Sequence, residues 1–289
     1  MIDFINYNWM PTIADHCLDL PEEFYISAGV SRLHSRSELK PEDVMEDDIV
    51  FVKTDYLHDW TFQKDFLPKI KNRFTLVTGI SSYNIQGKES DIIENENVKH
   101  WFCTNPPSTK NKKITPLPIG FEEKEREGGN QEILRNRWDK KREWKYKSDL
   151  MYLPYHTVGT NASRDSQIKY LESLDFVEVE KEKLPFDQYL EKMGRYKYII
   201  CLAGAGYDTH RNYEALLVGS MPIMVKSCVK QIYDFYELPA VFIEDWSEIN
   251  WAKLQTDFVF YDKPFPVDQV YKFLNVDLHK QRIISHAKD

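Results

Sequence analysis

Residues Ile199 to Ile249 read IICLAGAGYDTHRNYEALLVGSMPIMVKSCVKQIYDFYELPAVFIEDWSEI, and the order of that stretch decides the fold. The apolar run Tyr198 to Leu202 ends in Ala203-Gly204-Ala205-Gly206. A polar cluster follows at once: Asp208, Thr209, His210, Arg211 and Glu214. An amphipathic helix, Gly219 and a second apolar run, Met221 to Val225, complete the pattern. Strand, small-residue loop, helix, strand is the order of a nucleotide-binding βαβ unit. Gly204 and Gly206 give backbone room, while the helix start offers N–H groups and a positive dipole end to a phosphate. His210 and Arg211 add donors and charge. Glu214, one turn on, is placed to accept from both hydroxyls of a ribose. The plain alternative is a helix cap, Asp208 or Thr209, followed by a solvated turn. It accounts for Thr209, but not for a His-Arg pair and Glu214 beside a small-residue loop.

Upstream, Asp149 to Leu153 predicts a strand, and the loop Pro154 to Arg164 leads into a helix over Arg164 to Leu174. Asn161 and Arg164 follow that strand, where a phosphate-facing loop belongs; the alternative is an Asn or Ser cap and an exposed Arg. Val177 to Val179 reads as a strand. Pro185 to Met193 reads as a helix with Phe186, Tyr189, Leu190 and Met193 on one face. Asp245 can cap the next turn, with Glu248 completing a capping box. Phe258 to Tyr261 is a short apolar segment, and the chain from Pro266 on is helical and polar.

The first half repeats the alternation. Strands are expected at Asp48 to Val52, Phe74 to Thr78, Val98 to Phe102 and Ile114 to Ile119, with another over Glu23 to Gly29. Phe62 to Ile70 and Asp91 to Asn95 read as helical. Glu122 to Lys147 is a charged loop and helix between halves, read as a solvated face. Residues 1–147 and 148–289 are therefore expected to form two α/β Rossmann-like domains, the second with a C-terminal helical tail. Open parallel sheets bind ligands at the carboxyl ends of their strands, and a cleft between two such halves would bring those ends face to face.

Composition narrows the partners. A net charge of -8 over 289 residues argues against general nucleic-acid binding, which needs a basic face. No apolar run reaches the length of a membrane span, and the start of the chain lacks the charge and apolar block of a signal peptide. Cys17, Cys103, Cys201 and Cys228 are scattered and show no metal spacing; Cys201 and Cys228, in or beside apolar runs, read as reduced core thiols, so a cytoplasmic location is expected. No D-x-D pair follows a strand and the eight histidines are dispersed, so no metal is expected.

Several phrases resemble the exostosin-like glycosyltransferases: Gly206-Tyr207-Asp208-Thr209-His210-Arg211-Asn212-Tyr213-Glu214-Ala215-Leu216, then Gly219-Ser220-Met221-Pro222-Ile223, Leu238-Pro239 and Asp245-Trp246-Ser247-Glu248-Ile249. Phe51-Val52-Lys53-Thr54-Asp55 and Leu76-Val77-Thr78-Gly79 are similar to phrases of the family's N-terminal half. The resemblance implies a GT-B-type fold, with donor nucleotide on the C-terminal half and acceptor on the N-terminal half. It further implies a UDP-sugar as co-substrate, and Arg211 and His210 neutralising the departing diphosphate. The lack of a membrane stem is similar to the soluble viral and microbial members, and the resemblance itself, not the spacing of residues, implies xylose as first choice of donor sugar and a glycan fucose as first choice of acceptor.

Inverting transfer needs a base for the acceptor hydroxyl. Asp55, just past the Ile49–Val52 strand, is the first candidate; it can equally cap the next helix, and His58 or Asp59 can serve instead. Ile80-Ser81-Ser82 departs from the acidic residues that relatives carry there, so Ser81 and Ser82, with His58, are left as acceptor contacts. The rivals are the same fold with UDP-glucuronate, UDP-galactose or a GDP-sugar, and a non-catalytic glycan-binding module. An NAD dehydrogenase is disfavoured because no G-x-G-x-x-G opens the first βαβ unit.

Overall fold

Near-continuous apolar runs of five or six residues, rich in β-branched side chains, pair most favourably when both faces are covered, and that is the arrangement of a parallel sheet. The computed structural model describes residues 3–18, 40–58, 61–82, 84–85, 87, 90–157, 162–249 and 265–288. The expected strand at Glu23 to Gly29, the apolar segment Phe258 to Tyr261, Asp59 and Asn161 lie outside the described residues. The chain divides into two compact units. Unit 1 comprises Met1–Gly120, Ala205–Asp208 and Asn275–Asp289, and unit 2 comprises Phe121–Gly204 and Thr209–Leu274.

In unit 1, β1 (His16–Leu18), β2 (Ile49–Lys53), β3 (Phe74–Gly79), β4 (Val98–Cys103) and β5 (Ile114–Pro116) form an all-parallel sheet in simple sequential order. The short helices α1 (Asp55–His58) and α2 (Ser90–Glu94) follow β2 and precede β4. The core gathers Val50, Val52, Phe62, Leu76 and Trp101, all without exposure. The strand expected through Ile119 stops at Pro116. Pro116 and Pro118 have no N–H for a ladder, and Leu117 N makes the last bond, to Cys103 O at 2.8 Å.

In unit 2 the strands are β6 (Ser148–Leu153), β7 (Val177–Val179), β8 (Tyr196–Ile200), β9 (Met221–Val225) and β10 (Val241–Ile243), again all parallel. The helices are α3 (Gln131–Asp139), α4 (Ala162–Glu172), α5 (Phe186–Met193), α6 (His210–Leu217), α7 (Val229–Tyr236) and α8 (Val267–Leu274). The spatial order β7-β6-β8-β9-β10 reverses direction between β6 and β8, the hallmark of a doubly wound sheet with one switch point. The strand expected at Tyr198 to Leu202 lies two residues earlier, and Cys201 N still bonds Ile223 O at 3.0 Å.

Two readings of charge are corrected. The stretch Glu122 to Lys147 is not merely solvated: Leu134 and Trp138 of α3 are buried, and Lys147 is 5% exposed. The C-terminal helix α9 (Val276–Lys288), in unit 1, buries Val276, His279, Ile283 and Ala287. Its carbonyl Ala287 O accepts from Lys99 Nζ at 2.8 Å, and its His286 ring stacks on His100 with centroids 4.5 Å apart.

Candidate functional site

Ligands of doubly wound sheets sit where the strand order reverses, because neighbouring crossovers leave there in opposite directions and open a crevice. In unit 2 that point lies between β6 and β8. The loop after β6 carries Tyr155, His156 and Thr157, and the helix after β8 begins with His210 and Arg211. These segments line a cavity of about 440 Å³. Tyr189 and Phe186 of α5 add an aromatic wall, and Arg164 of α4 stands beside Thr157, whose carbonyl it meets at 3.5 Å.

Arg211 lines this cavity. Its Nε donates to Tyr189 Oη at 3.3 Å, its Nη2 to the carbonyl of Tyr155 at 3.3 Å, and its Nη1 to His156 Nε2. Three partners on two other segments fix the planar guanidinium, which is how a pre-aimed cation is built. His156 Nδ1 donates to Pro154 O at 2.6 Å, so the proton sits on Nδ1 and Nε2 is left to accept. Burial, followed by the Arg211 and Arg164 charges, pulls this imidazole down to about 3 and keeps it neutral.

Tyr189 Oη also donates to Glu214 Oε2 at 2.6 Å. One phenol therefore bridges the two charged residues of α6. Burial holds Tyr189 well above its ordinary range and raises the Glu214 carboxyl, which is 8% exposed. Burial opposes the charge of Arg211, yet Tyr189 and Glu214 hold its value above the ordinary one. The phenol spends one of the two carboxylate oxygens of Glu214, so the group retains the capacity to accept from a ligand hydroxyl.

The remaining cluster residues scatter. His210 is partly buried and reaches Glu214 through space, where its charge lowers the carboxyl value. Thr209 occupies the N-cap position of α6, but its hydroxyl donates to Asn212 Oδ1 at 3.1 Å and caps no backbone N–H. Asp208 belongs to unit 1. It is 5% exposed, and its Oδ2 accepts from Ile119 N at 3.1 Å. Gly206, also in unit 1, packs against the Ser82 backbone, where an added Cβ would meet Ser82 O at 2.8 Å. Gly204, in unit 2, has only Thr209 Cγ2 near, at 3.6 Å. Asp245 does cap, accepting from Ser247 N at 2.9 Å, while Glu248 bonds Glu244 N and does not close a capping box on Asp245.

In unit 1, Asp55 opens α1 just past the carboxyl end of β2, with Oδ2 3.2 Å from Lys53 Nζ. His58 ends the same turn; its side chain lies outside the described set. Ser81 is buried and Ser82 exposed. Next to them Ile80 has φ 55°, and at the end of β4 Asn105 has φ 47°, with its Nδ2 donating to Ser81 O at 3.2 Å. Left-handed backbone suits Asn and strains a β-branched residue, so the Ile80–Ser81 corner is held by its surroundings.

Sequence reasoning missed His156 and Tyr189. Tyr189 falls on the apolar face of an amphipathic helix and reads as core. His156 lies 55 positions from Arg211, and only the sheet order brings them together. Among the described residues no group of three or more His, Cys, Asp or Glu could hold a metal ion, and no helix is long and apolar enough to cross a membrane.

No protein-family model matches the chain, and no curated protein matches it. Among solved structures it is similar to one described as the crystal structure of a GtfA/B complex, with 9% identity and a TM-score of 0.41. The match covers 90% of this chain and 62% of that one, so it spans less than two thirds of the other's length.

Proposed function

We propose that the chain is a GT-B-type glycosyltransferase that moves a sugar from a UDP-sugar to a glycan hydroxyl with inversion and without a metal. The observation that carries this reading is the Arg211 guanidinium, held by Tyr189, His156 and the Tyr155 carbonyl at the switch point of the second sheet, with Glu214 one turn further along α6. The acceptor oxygen forms a bond to the anomeric carbon as the bond from that carbon to the diphosphate breaks. The electron pair leaves with the diphosphate, whose charge Arg211 stabilises, and the acceptor proton passes to Asp55. Arg164 and His210 assist with the phosphates, and Glu214 holds the ribose. UDP, xylose and a fucose acceptor come from the resemblance to exostosin-like enzymes.

The wall of the cavity bears on the donor sugar. It presents Glu122, Glu127, Glu180, Glu182 and Glu214 against Arg164, Lys183 and Arg211. Glu180 is already paired with Lys192 at 2.7 Å, and the other four carboxylates against three cations favour a neutral sugar over a uronate, whose added negative charge would meet like charge. A panel of UDP-xylose, UDP-galactose, UDP-glucuronate and a GDP-sugar, assayed for hydrolysis and transfer with and without EDTA, tests the reading. A neutral UDP-sugar should be turned over in both conditions, and Arg211→Ala should lose on the order of 2–4 kcal/mol in kcat/KM. No turnover of any donor together with no effect of UDP on Tm would overturn it, and oligosaccharide binding without UDP binding would point to a glycan-binding module.

A further inference from the structure

We propose that unit 2 carries a second binding site, for phosphate-class oxyanions, in a cationic cavity at the carboxyl ends of α5 and α6. The cavity has a volume of about 420 Å³ and is lined by Arg137, Lys140, Lys141, Arg142 and Arg195, with Glu191 as its one carboxylate. This local excess stands out in a chain of net charge -8.

Pairing disposes of two of the five cations. Arg137 forms a fork with Asp187, both contacts at 2.5 Å, and Arg195 meets Glu191 at 2.9 Å. Lys140, Lys141 and Arg142 make no ion pair with a carboxylate among the described residues. Lys141 lies over the Trp138 ring at 3.9 Å and donates to Trp138 O at 3.0 Å, and Arg142 donates to Tyr146 O at 3.5 Å. Asp139 acts on Lys141 only through space.

Cations at helix carboxyl ends commonly neutralise the last carbonyls. Lys141 does this for its own helix α3 through Trp138 O, but at α5 and α6 another residue does it. Buried Lys147 donates through Nζ to Gly194 O at 2.8 Å and Val218 O at 2.7 Å, the C-caps of α5 and α6, and to Ser220 Oγ at 3.0 Å. All three ammonium protons are used, so the C-cap carbonyls of α5 and α6 need nothing more from Lys140, Lys141 or Arg142. Burial first, then Arg142 and Lys141, pull Lys147 down to about 7, and a bound anion relieves that repulsion.

The volume exceeds what a bare ion fills and matches the roughly 300–1,000 Å³ of small-molecule sites. Lys and Arg together supply charge-assisted donors for phosphate oxygens. The ligand class is therefore inorganic polyphosphate or a small phosphorylated molecule. This site is not the Arg211 cavity: α5 and α6 each span about 12 Å. Arg211 lies in the first turn of α6, whereas Gly194 and Val218 follow the last turns of the pair.

The test is calorimetry and Tm measurement with inorganic pyrophosphate and with glucose 6-phosphate, at low and matched ionic strength, on the wild type, Lys140→Gln/Arg142→Gln and Arg211→Ala. Both substitutions in the double variant are on the surface and leave the Lys141–Trp138 contact intact. At least one probe should bind the wild type and Arg211→Ala, and should bind the double variant at least about tenfold more weakly. Preference for glucose 6-phosphate would support the site as one for a sugar phosphate, and preference for pyrophosphate as one for free polyphosphate. The proposal is overturned by no binding of either probe, by affinity unchanged in the double variant, or by affinity lost in Arg211→Ala alone.

Discussion

His156 and Arg211 meet across the point where the strand order of unit 2 reverses: the imidazole comes from the loop after β6, the guanidinium from the helix after β8. The contact works only with a neutral ring, since imidazolium has no lone pair for the Arg211 N–H. Loop and helix are thus tied together by a protonation state as well as by shape.

That tie predicts a pH dependence of stability. His156 is lowered to about 3 in the folded chain, from an ordinary value of 6.5. Between those values the unfolded chain binds more protons, so the contribution is present above 6.5 and is lost as pH falls toward 3. His156→Gln keeps an acceptor and removes the titration. Unfolding free energies of the two proteins should run parallel above pH 7, and the wild type should fall away from the variant below it. A constant offset from pH 4 to 8 would disprove the buried neutral imidazole.

Tyr189→Phe removes only the hydroxyl that bridges Arg211 and Glu214. Both charged groups then lose a partner at once, at a cost of about 1–3 kcal/mol for the unsatisfied groups. UDP affinity and kcat/KM should both fall, with the helical circular dichroism unchanged. Unaltered UDP affinity would mean that the bridge does not hold the donor side.

Much of this was readable from the chain. Periodicity located α6 and β9, and the His-Arg-Glu spacing singled out the helix that lines the cavity. The partners of Arg211 were not readable, because they depend on β6 and β8 being neighbours, which no local pattern encodes. Two motif residues also proved to have structural partners: Asp208 bonds Ile119 N, and Gly206 packs on Ser82. A short polar side chain or a glycine looks the same in sequence whether it meets a ligand or another loop of the same chain.

The two loop glycines should therefore behave differently. Gly206→Ala forces a methyl against Ser82 O at 2.8 Å and should destabilise by about 1–3 kcal/mol. Gly204→Ala has its nearest neighbour at 3.6 Å and should leave Tm unchanged. If the loop cradles phosphates, it should still weaken UDP binding. Normal affinity in Gly204→Ala would leave the loop with a packing role alone.

Lys147→Met should be costly although no ligand is involved. The Gly194 and Val218 carbonyls and the Ser220 hydroxyl lose their shared donor in a buried setting. About 1–3 kcal/mol is expected for each group left unsatisfied, moderated by removal of a buried charge. Chemical denaturation should show a lower midpoint with an unchanged slope. An unchanged midpoint would mean that the two helix ends find other partners.

The position of Asp55 is what makes it the general base of the proposed reaction. It starts α1 past the carboxyl end of β2, where ligands of parallel sheets bind, and Lys53 lies 3.2 Å from its Oδ2. A carboxylate there can accept the acceptor proton without being a strong base, since the hydroxyl becomes acidic only as the new bond forms. Asp55→Asn keeps size and capping capacity but removes the basicity. As base, the residue should lose roughly 10²–10⁴-fold in kcat with UDP affinity and Tm retained. As a cap, it should change neither, because Asn caps about as well as Asp. A fall of less than about tenfold, below the range general bases show, would pass the role to His58 or Asp59, the other side chains following β2 that can take a proton.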